Sequence, residues 1–473
     1  MVTVRAGMPA PGSRMRGRDR ELAELTRLLA DATLGRGGAL VVRGMPGIGA
    51  TTLLERFREH AEREQSVRVL RADGTAAESQ LPLAGLHQLL GPLSDLLASL
   101  ETGWRAPLRR ALGLGGRRCE PLELCAAVHA LLVAAAARRP TLCCVDDAHQ
   151  LDSESLAALV FAARRLDHAA LAMVFTVDDG ADGSESLAGL PSLPLRALPR
   201  DAALLLLRDR LGNPPADLTD SLLDLAGGNP LALTELADSV TAEQLSGQSA
   251  PPAAMAAGSA LCERVRRRLG ELPARARTLV LLATADERLD RRTVADVGLD
   301  EDGSGLREAV AAGLLTVEGD AIRRCRDLPA ASLRAAAEPG KFRAAHPLLA
   351  DSTRRRGHAY RRVWHRASLA TAPSPALTRE LNQVAEDARR AGGHRDAAAA
   401  ASAPPRCRPT TSQAHAGSSA PRGTTGPREG PTVRGPCCEG LPRWPMPGWR
   451  ARQGCWRERS NCGAVTPPWR PTN

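Results

Sequence analysis

Residues 39–52 have the residue types and spacing of a phosphate-binding loop. An apolar run leads into a segment of the form G-x-x-x-x-G, from Gly44 to Gly49. In the motif G-x-x-x-x-G-K-[ST], backbone N–H groups hold the α- and β-phosphates, the lysine reaches the β- and γ-phosphates, and the hydroxyl ligates magnesium. Here Ala50 occupies the lysine position and Thr51 the hydroxyl position. The alternative is an ordinary glycine-rich turn between a strand and a helix.

Phosphate binding by such a loop does not depend wholly on the lysine. Successive N–H groups from Gly47 to Thr51 would form an anion-binding nest, and the dipole of the next helix adds partial positive charge. Losing one charge-assisted hydrogen bond costs about 1.5–3 kcal/mol, or roughly 10- to 150-fold in affinity. Hydrolysis depends more on the lysine, because charge builds up on the transferring phosphoryl group. We therefore expect binding to survive and hydrolysis to be weak or absent.

A second element with matching chemistry lies further along the chain. The apolar run Thr141–Val145 ends in two acids, Asp146 and Asp147. In phosphoryl-transfer sites, an acid at the end of such a strand holds magnesium, and a neighbouring polar group orients the attacking water. This pattern predicts Asp146 and Thr51 as magnesium ligands and Asp147 as the water-orienting acid. The alternative is that two acids merely leave a strand for solvent.

Strand and helix patterns alternate around these two motifs. Apolar runs predict buried strands, and leucines at helical spacing predict amphipathic helices between them. The strands are expected at residues 39–44, 67–70, 141–145 and 170–177, and the helices at 22–29, 51–64, 86–93, 126–139 and 200–240. This alternation predicts an α/β fold with a parallel sheet covered by helices on both faces.

Changes in composition suggest several segments along the 473 residues. We predict seven segments, each with its bounds. They are a disordered start (1–15), a nucleotide-type α/β domain (16–190), a helical lid (191–242), a linker (243–258), a winged-helix-like module (259–358), the first helices of a repeat array (359–400) and a disordered tail (401–473).

The net charge of +10 is concentrated in the tail, where residues 401–473 hold 11 arginines and 3 glutamates. The preceding residues therefore carry a net charge of only +2, which gives no electrostatic argument for a nucleic-acid groove. The eleven cysteines lack C-x-x-C pairs, and nothing at the start resembles a secretory signal. The longest apolar stretch, 126–137, falls short of the ~20 residues of a membrane span. We expect a cytoplasmic protein without a membrane partner.

The tail itself contains 13 prolines, 5 cysteines and 4 of the 6 tryptophans. It has almost no aliphatic residues, so it cannot bury enough apolar surface to offset its chain entropy. Three explanations stay open. They are a slip of the reading frame near residue 400, a functional disordered basic tail, and a Cys/Trp metal or recognition module.

Four segments occur in an order that resembles the large ATP-binding regulators of the LuxR type, in the STAND branch of the AAA-like ATPases. The resemblance extends over roughly residues 14–400, and the segments are 17–22, 44–52, 145–152 and 227–233. A later stretch, 342–348, resembles the family's Phe-Arg-His-Pro-Leu run with two residues inserted.

The resemblance implies roles for individual residues. Those it places around an adenine nucleotide are Gly17 and Arg18 at the adenine pocket, Gly44, Pro46, Gly47, Gly49, Ala50, Thr51 and Thr52 at the phosphates, and Pro230 against the base. It also implies that Asp146 binds magnesium, that Asp147 orients water, and that His346 senses the β-phosphate of ADP. For His346, a helix-start histidine satisfied by backbone is the alternative.

The chain also departs from the family pattern. Val177-Asp178-Asp179 stands where relatives usually carry an arginine, and nothing after residue 400 resembles the family's repeat sensor or its C-terminal helix-turn-helix. We expect a regulator that uses ATP or ADP with Mg²⁺ as a conformational switch, self-associates and responds to a small-molecule or protein inducer. No DNA-binding module is visible. The alternatives are a truncated or frame-shifted pseudo-ATPase that acts as a scaffold, and an active ATPase that uses another cation.

Overall fold

The computed structural model describes residues 15–390 except 65, 116–118, 182, 253, 257, 356–358, 371 and 373. The predictions made for residues 1–14 and 391–473, including the disordered tail, lie outside the described residues.

The described residues alternate strands and helices up to residue 194 and are mostly helical afterwards. The strands are β1 Gly38–Gly44, β2 Arg68–Asp73, β3 Thr141–Asp146, β4 Leu171–Asp178, β5 Ser192–Pro194, β6 Leu315–Glu318 and β7 Ala321–Arg324. The helices are α1 Asp19–Thr33, α2 Ala50–Arg63, α3 Ala84–Leu90, α4 Thr102–Ala111, α5 Pro121–Arg138, α6 Ser153–Ala163, α7 Arg200–Leu211, α8 Ala216–Ala226, α9 Pro230–Asp238, α10 Ala242–Leu245, α11 Ala260–Glu271, α12 Ala274–Ala285, α13 Arg291–Val297, α14 Ser304–Ala311, α15 Ala330–Ala336, α16 Pro339–Arg355, α17 Ala359–Leu369 and α18 Pro375–Arg390. Short 3₁₀ segments span Gly91–Ser99, Ala148–Gln150 and Ser184–Leu187.

The first five strands form one parallel sheet in the order β2-β3-β4-β1-β5. Strand β1 pairs with β4 from Gly38 opposite Ala172 to Gly44 opposite Asp178. The predicted parallel sheet is thus confirmed. Strand β5 was not predicted, because its three residues follow Pro191, end in Pro194 and carry no periodic pattern.

Helices cover both faces of this sheet, as predicted. Along β1, Val41 packs into the core beneath α3 to α6, whereas Val42 packs into the core beneath α1 and α2. Successive side chains of a strand point to opposite faces, so a strand covered on both faces needs apolar residues throughout. This explains why β1, β3 and β4 read as continuous apolar runs.

Helix α5 is long and apolar enough to cross a membrane by length and composition, and 39% of its 18-residue window is buried inside the structure. Its buried residues, among them Leu131 and Leu132, belong to the core on one face of the sheet. A core helix of this kind passes the same test of length and hydropathy, so the observation is weak support for a membrane span.

A third core joins α7 to α9 with α11, α12, α15 and α16 and with the antiparallel hairpin β6–β7. Helices α17 and α18 follow and share a small cluster around Val363 and Leu381. Whether these helices form the predicted lid, winged-helix and repeat modules stays a prediction.

Candidate functional site

The phosphate-binding loop, Gly44–Thr52, connects the carboxyl end of β1 to the first turn of α2. Gly49 caps α2 with a left-handed backbone, and Ala50 is the first helical residue. The first N–H groups of a helix have no acceptor within the helix, and they carry the positive end of its dipole. Within the loop, the N–H of Ile48 donates to the carbonyl of Met45 at 3.1 Å, and anion binding by the N–H groups from Gly47 to Thr51 stays a prediction.

The hydroxyl of Thr51 lies close to the first acid of the second motif. Thr51 Oγ1 is 3.3 Å from Asp146 Oδ1, although the two residues come from different elements. The hydroxyl of Thr176, on the neighbouring strand β4, donates to the same oxygen at 2.5 Å. Thr176 Oγ1 also accepts a hydrogen bond from the backbone N–H of Asp147 at 2.8 Å. One buried threonine thus fixes both acids, and no motif in the sequence indicated it.

The two acids are held in an environment that disfavours their charged forms. Burial raises the pKa of Asp146 to about 6, against the opposing hydrogen bond from Thr176. Burial also raises the pKa of Asp147, and the nearby charge of Asp178 adds to that effect. A bound cation would reverse both shifts, because it stabilises the carboxylate.

The oxygen donors at this edge suit magnesium. Mg²⁺ is usually bound by one or two protein oxygens together with substrate phosphates and water, rather than by an all-protein cage. The carboxylate of Asp146 and the hydroxyl of Thr51 are donors of this kind. Within the described part of the chain, no group of three or more His, Cys, Asp or Glu side chains could hold a metal ion. Phosphate oxygens of a nucleotide would be further ligands of the kind that Mg²⁺ uses.

Helix α9 begins directly on the phosphate-binding loop. Asn229 Nδ2 donates to the carbonyl of Pro46 at 3.0 Å, and the N–H of Leu231 donates to the carbonyl of Gly47 at 3.1 Å. Pro230 Cγ lies 3.9 Å from the position of a Cβ on Gly49. The Gly-Asn-Pro turn therefore contacts the loop, and the packing of Pro230 against the base stays a prediction.

Gly47 has room for no side chain. Its φ is +77°, and a Cβ there would lie 2.9 Å from Asn229 Oδ1 and 3.1 Å from Leu261 Cδ1. Two later helices, α9 and α11, therefore meet at this one glycine of the loop. A ligand that moves the backbone of Gly47 would therefore also change the contacts of α9 and α11.

Gly17 and Arg18 also lie beside the loop. Arg18 is buried, and its Nη2 donates to the carbonyl of Ile48 at 2.9 Å and to the carbonyl of Arg196 at 2.7 Å. A Cβ on Gly17 would lie 2.6 Å from the Cβ of Ala202 on α7. The structure thus brings the predicted adenine-pocket residues to the loop and to α7, and their contact with adenine stays a prediction.

Two further predicted residues, Gly44 and Thr52, lie at the two ends of the loop. Gly44 is buried against Ile48, since a Cβ there would lie 2.6 Å from Ile48 Cγ2. Thr52 lies half-buried in the first turn of α2, beside the exposed Thr51.

The structure places His346 inside helix α16 rather than at a helix start, and buries it in a polar cluster. Its Nδ1 lies 3.2 Å from Nδ1 of His365, whose Nε2 lies 3.2 Å from Oδ2 of Asp286. Arg361 Nε donates to that same oxygen at 2.9 Å. The described polar contacts of His346 therefore lie within this cluster, and its predicted contact with a phosphate stays a prediction.

Electrostatics within the cluster follow from its burial. Burial lowers the pKa of His346 to about 4, and the neighbouring His365 adds to this effect. Burial alone would raise the pKa of Asp286, but the hydrogen bond from His365 and the charge of Arg361 outweigh it and hold that pKa well below its usual value.

Comparisons with known proteins give a family match for the first part of the chain. Residues 14–175 match the sequence model of the AAA ATPase domain. No curated protein matches the chain in sequence.

Several solved structures are similar at low identity. One is a STAND protein with a tetratricopeptide repeat sensor from Pyrococcus horikoshii, with 14% identity and a TM-score of 0.33. That match covers 83% of this chain and 59% of the other, so this chain spans little more than half the length of that protein. Another is Cdc6p from Pyrobaculum aerophilum, with 16% identity, a TM-score of 0.35, and coverage of 72% of this chain and 97% of the other. A third is the RuvB Holliday junction branch migration motor of Thermotoga maritima, with 14% identity, a TM-score of 0.33, and coverage of 65% and 92%.

The five-stranded parallel sheet carries its glycine-rich loop between β1 and α2, and Thr51 of that loop lies beside the acid that ends β3. Together with the sequence match over residues 14–175, this arrangement identifies the first part of the chain as a P-loop domain of the AAA ATPase type.

Proposed function

We propose that this chain is a STAND-type regulator that binds ATP or ADP with Mg²⁺ and uses the bound nucleotide as a conformational switch. The observation that carries the proposal is the meeting of α9 and α11 at Gly47 of the phosphate-binding loop. A nucleotide held by the loop would change the contacts of both helices, and through them the packing of everything that follows. Thr51 and Asp146 would hold the magnesium ion.

Hydrolysis is expected to be slow or absent. Ala50 removes the cation that normally neutralises charge on the transferring phosphoryl group. Asp147, the proposed water-orienting acid, lies near Asp178, which opposes its ionisation. The negative charge of Asp178 lies where a cation would stabilise the transferring phosphoryl group, so it disfavours hydrolysis. It weakens the binding of nucleotide with magnesium less.

The wider role is proposed from the family resemblance. In that role the chain is a cytoplasmic, LuxR-like transcriptional regulator. Bound nucleotide holds the α/β domain closed onto the winged-helix-like module, which we call the closed arrangement. Nucleotide exchange, in response to a small-molecule or protein inducer, releases the closed arrangement and the chain self-associates. No described residue is assigned to DNA contact.

A second candidate, favoured by Ala50, is a pseudo-ATPase that has lost nucleotide binding and acts as an interaction scaffold without DNA binding.

The test that separates the two candidates is calorimetric titration of the full chain with ADP and with ATP, each with Mg²⁺, beside Ala50→Lys and the uncharged control Ala50→Met. We expect micromolar binding by the natural chain, a gain of about tenfold for Lys and none for Met.

Absence of binding by both the natural chain and Ala50→Lys, with both folded, would favour the scaffold. The switch is tested separately by hydrogen exchange at Leu231, whose N–H bonds the loop carbonyl of Gly47. Nucleotide should change the protection of this amide. Unchanged protection at saturation would reject the switch while leaving nucleotide binding in place.

A further inference from the structure

Helix α11 is fixed to α9 at its start. The carboxylate of Glu235, on α9, accepts hydrogen bonds from Ser259 Oγ at 2.5 Å and from the backbone N–H of Ala260 at 2.7 Å. A carboxylate at the start of a helix is favourable, because it satisfies free N–H groups and complements the helix dipole. The first turn of α11 is therefore held in a defined place beside the phosphate-binding loop.

One face of α11 spans the carboxyl edge of the sheet. At its start, Leu261 Cδ1 contacts the loop, 3.1 Å from the position of a Cβ on Gly47. Two turns later, Arg268 Nη2 lies 2.7 Å from the position of a Cβ on Gly180, in the segment after β4. Residues at i, i+3 and i+7 share a helix face, so Arg264 lies between these two contacts. It therefore lies along α11 between the phosphate-binding loop, which follows β1, and the segment that follows β4.

The two arginines on this face differ in burial. Arg268 is 8% exposed, and its Nη2 donates to the carbonyl of Ala312 at 2.5 Å. Its buried Nε has no hydrogen-bond partner in the described residues. Arg264 is exposed and makes no hydrogen bond or ion pair with another described residue. One guanidinium on this face is therefore anchored, and the other is free to engage an anion.

Arg264 lies one turn along α11 from Leu261, which contacts Gly47 of the phosphate-binding loop. The same region lacks a lysine in the loop, because position 50 is alanine.

We propose that Arg264 supplies from α11 the cation that the loop lacks, binding the phosphate tail of the nucleotide in the closed arrangement. A guanidinium suits this task, since its planar fork donates two parallel hydrogen bonds to a phosphate. This inference rests on the proposed function. It also predicts that the affinity for the phosphates depends on α11 remaining beside the phosphate-binding loop.

The test measures the affinity of Mg²⁺–ATP for the full chain and for Arg264→Ala, each with Ala50 or with Lys at position 50. In the natural background we expect Arg264→Ala to weaken binding about tenfold or more, the size of one charge-assisted hydrogen bond. In the Ala50→Lys background the same change should weaken binding less than about threefold, because the new lysine replaces the lost charge. The matched control is Arg266→Ala, since Arg266 lies on the opposite side of α11 and pairs with Glu263.

The outcomes separate the two proposals. Binding by the natural chain that Arg264→Ala leaves unchanged would overturn this inference alone. Equal losses in both backgrounds would also overturn it, because Arg264 would then act independently of the missing lysine. Absence of Mg²⁺–ATP binding by the natural chain would reject the proposed function first. Circular dichroism of each variant confirms folding, which an exposed arginine should not affect.

Discussion

Thr51 Oγ1 and Asp146 Oδ1 lie 3.3 Å apart, so the first turn of α2 and the end of β3 converge on one carboxylate. Burial holds the pKa of this carboxylate near 6, compared with an ordinary value of 3.8. The same group that would bind magnesium is therefore destabilising when it is ionised without a cation.

The first prediction concerns Asp146→Asn. A carboxyl group with a raised pKa in the folded state stabilises the fold below its unfolded pKa, and this stability is lost as the pH rises through about 6. Without magnesium, the natural chain should lose stability as the pH rises from 4 to 8, and Asp146→Asn should not. The difference in free energy of unfolding between the variant and the natural chain should therefore shift in favour of the variant by on the order of 2 kcal/mol. Urea unfolding at both pH values measures it. A difference independent of pH would contradict the assignment.

A second prediction concerns Thr176, whose hydroxyl bonds both acids. Thr176→Val keeps the shape but leaves the N–H of Asp147 and the carboxylate of Asp146 without this partner. We expect a loss of about 1–3 kcal/mol in the free energy of unfolding. Thr176→Ser retains the hydroxyl and should lose much less. Equal losses in the two variants would show that the methyl group, rather than the hydroxyl, matters at this position.

A third prediction concerns the contact between the segment after β4 and the end of α14. A Cβ on Gly180 would lie 2.4 Å from the carbonyl carbon of Ala312. Gly298 has nearly the same φ, +68° against +69°, with no atom within 4 Å of its Cβ position. Gly298→Ala should therefore show only the backbone cost, about 1–2 kcal/mol. Gly180→Ala should cost about 1–3 kcal/mol more and expose nearby peptide bonds to limited proteolysis. Matching losses would mean that the contact is not maintained in solution.

A fourth prediction concerns pH and His346. Burial lowers the pKa of His346 to about 4, so the folded chain favours the neutral ring. A group with a lowered histidine pKa stabilises the fold above about pH 6.5, and this stability falls as the pH drops towards 4. His346→Gln should remove part of this decline, on the order of 2 kcal/mol. Denaturation between pH 7 and pH 4 measures it, and an unchanged decline would assign the effect to other groups.

The sequence predicted the parts of the fold that depend on local patterns. Buried parallel strands need continuous apolar runs, so β1, β3 and β4 were visible in the sequence, and the acids that end β3 followed from the same pattern. Thr51 and Asp146 were predicted as ligands of one magnesium ion, which requires them to lie close together, and the structure places their oxygens 3.3 Å apart. The roles of these two residues as magnesium ligands stay predictions.

The parts that could not be predicted depend on contacts between distant segments. Nothing in the residues around Thr176 indicates that its hydroxyl would fix two acids on a neighbouring strand. The approach of α11 to Gly47 depends on Glu235 and on packing between helices, neither of which leaves a periodic signal. His346 was expected near a phosphate by resemblance, and its pairing with His365 depends on how α16 meets α17.

The position of β1 within the sheet has a consequence for biosynthesis. Both partners of β1 come much later in the chain, since Gly38 pairs with Ala172 and Val42 with Leu193. At roughly 5–20 residues per second, the ribosome needs on the order of ten seconds to deliver β4 after β1 has emerged. During that interval an apolar strand with two unpaired edges is exposed in the nascent chain. Until translation has passed β4, the strand that leads into the glycine-rich loop has no parallel partner, and a ribosome that stalls before that point leaves β1 available to a chaperone or to aggregation.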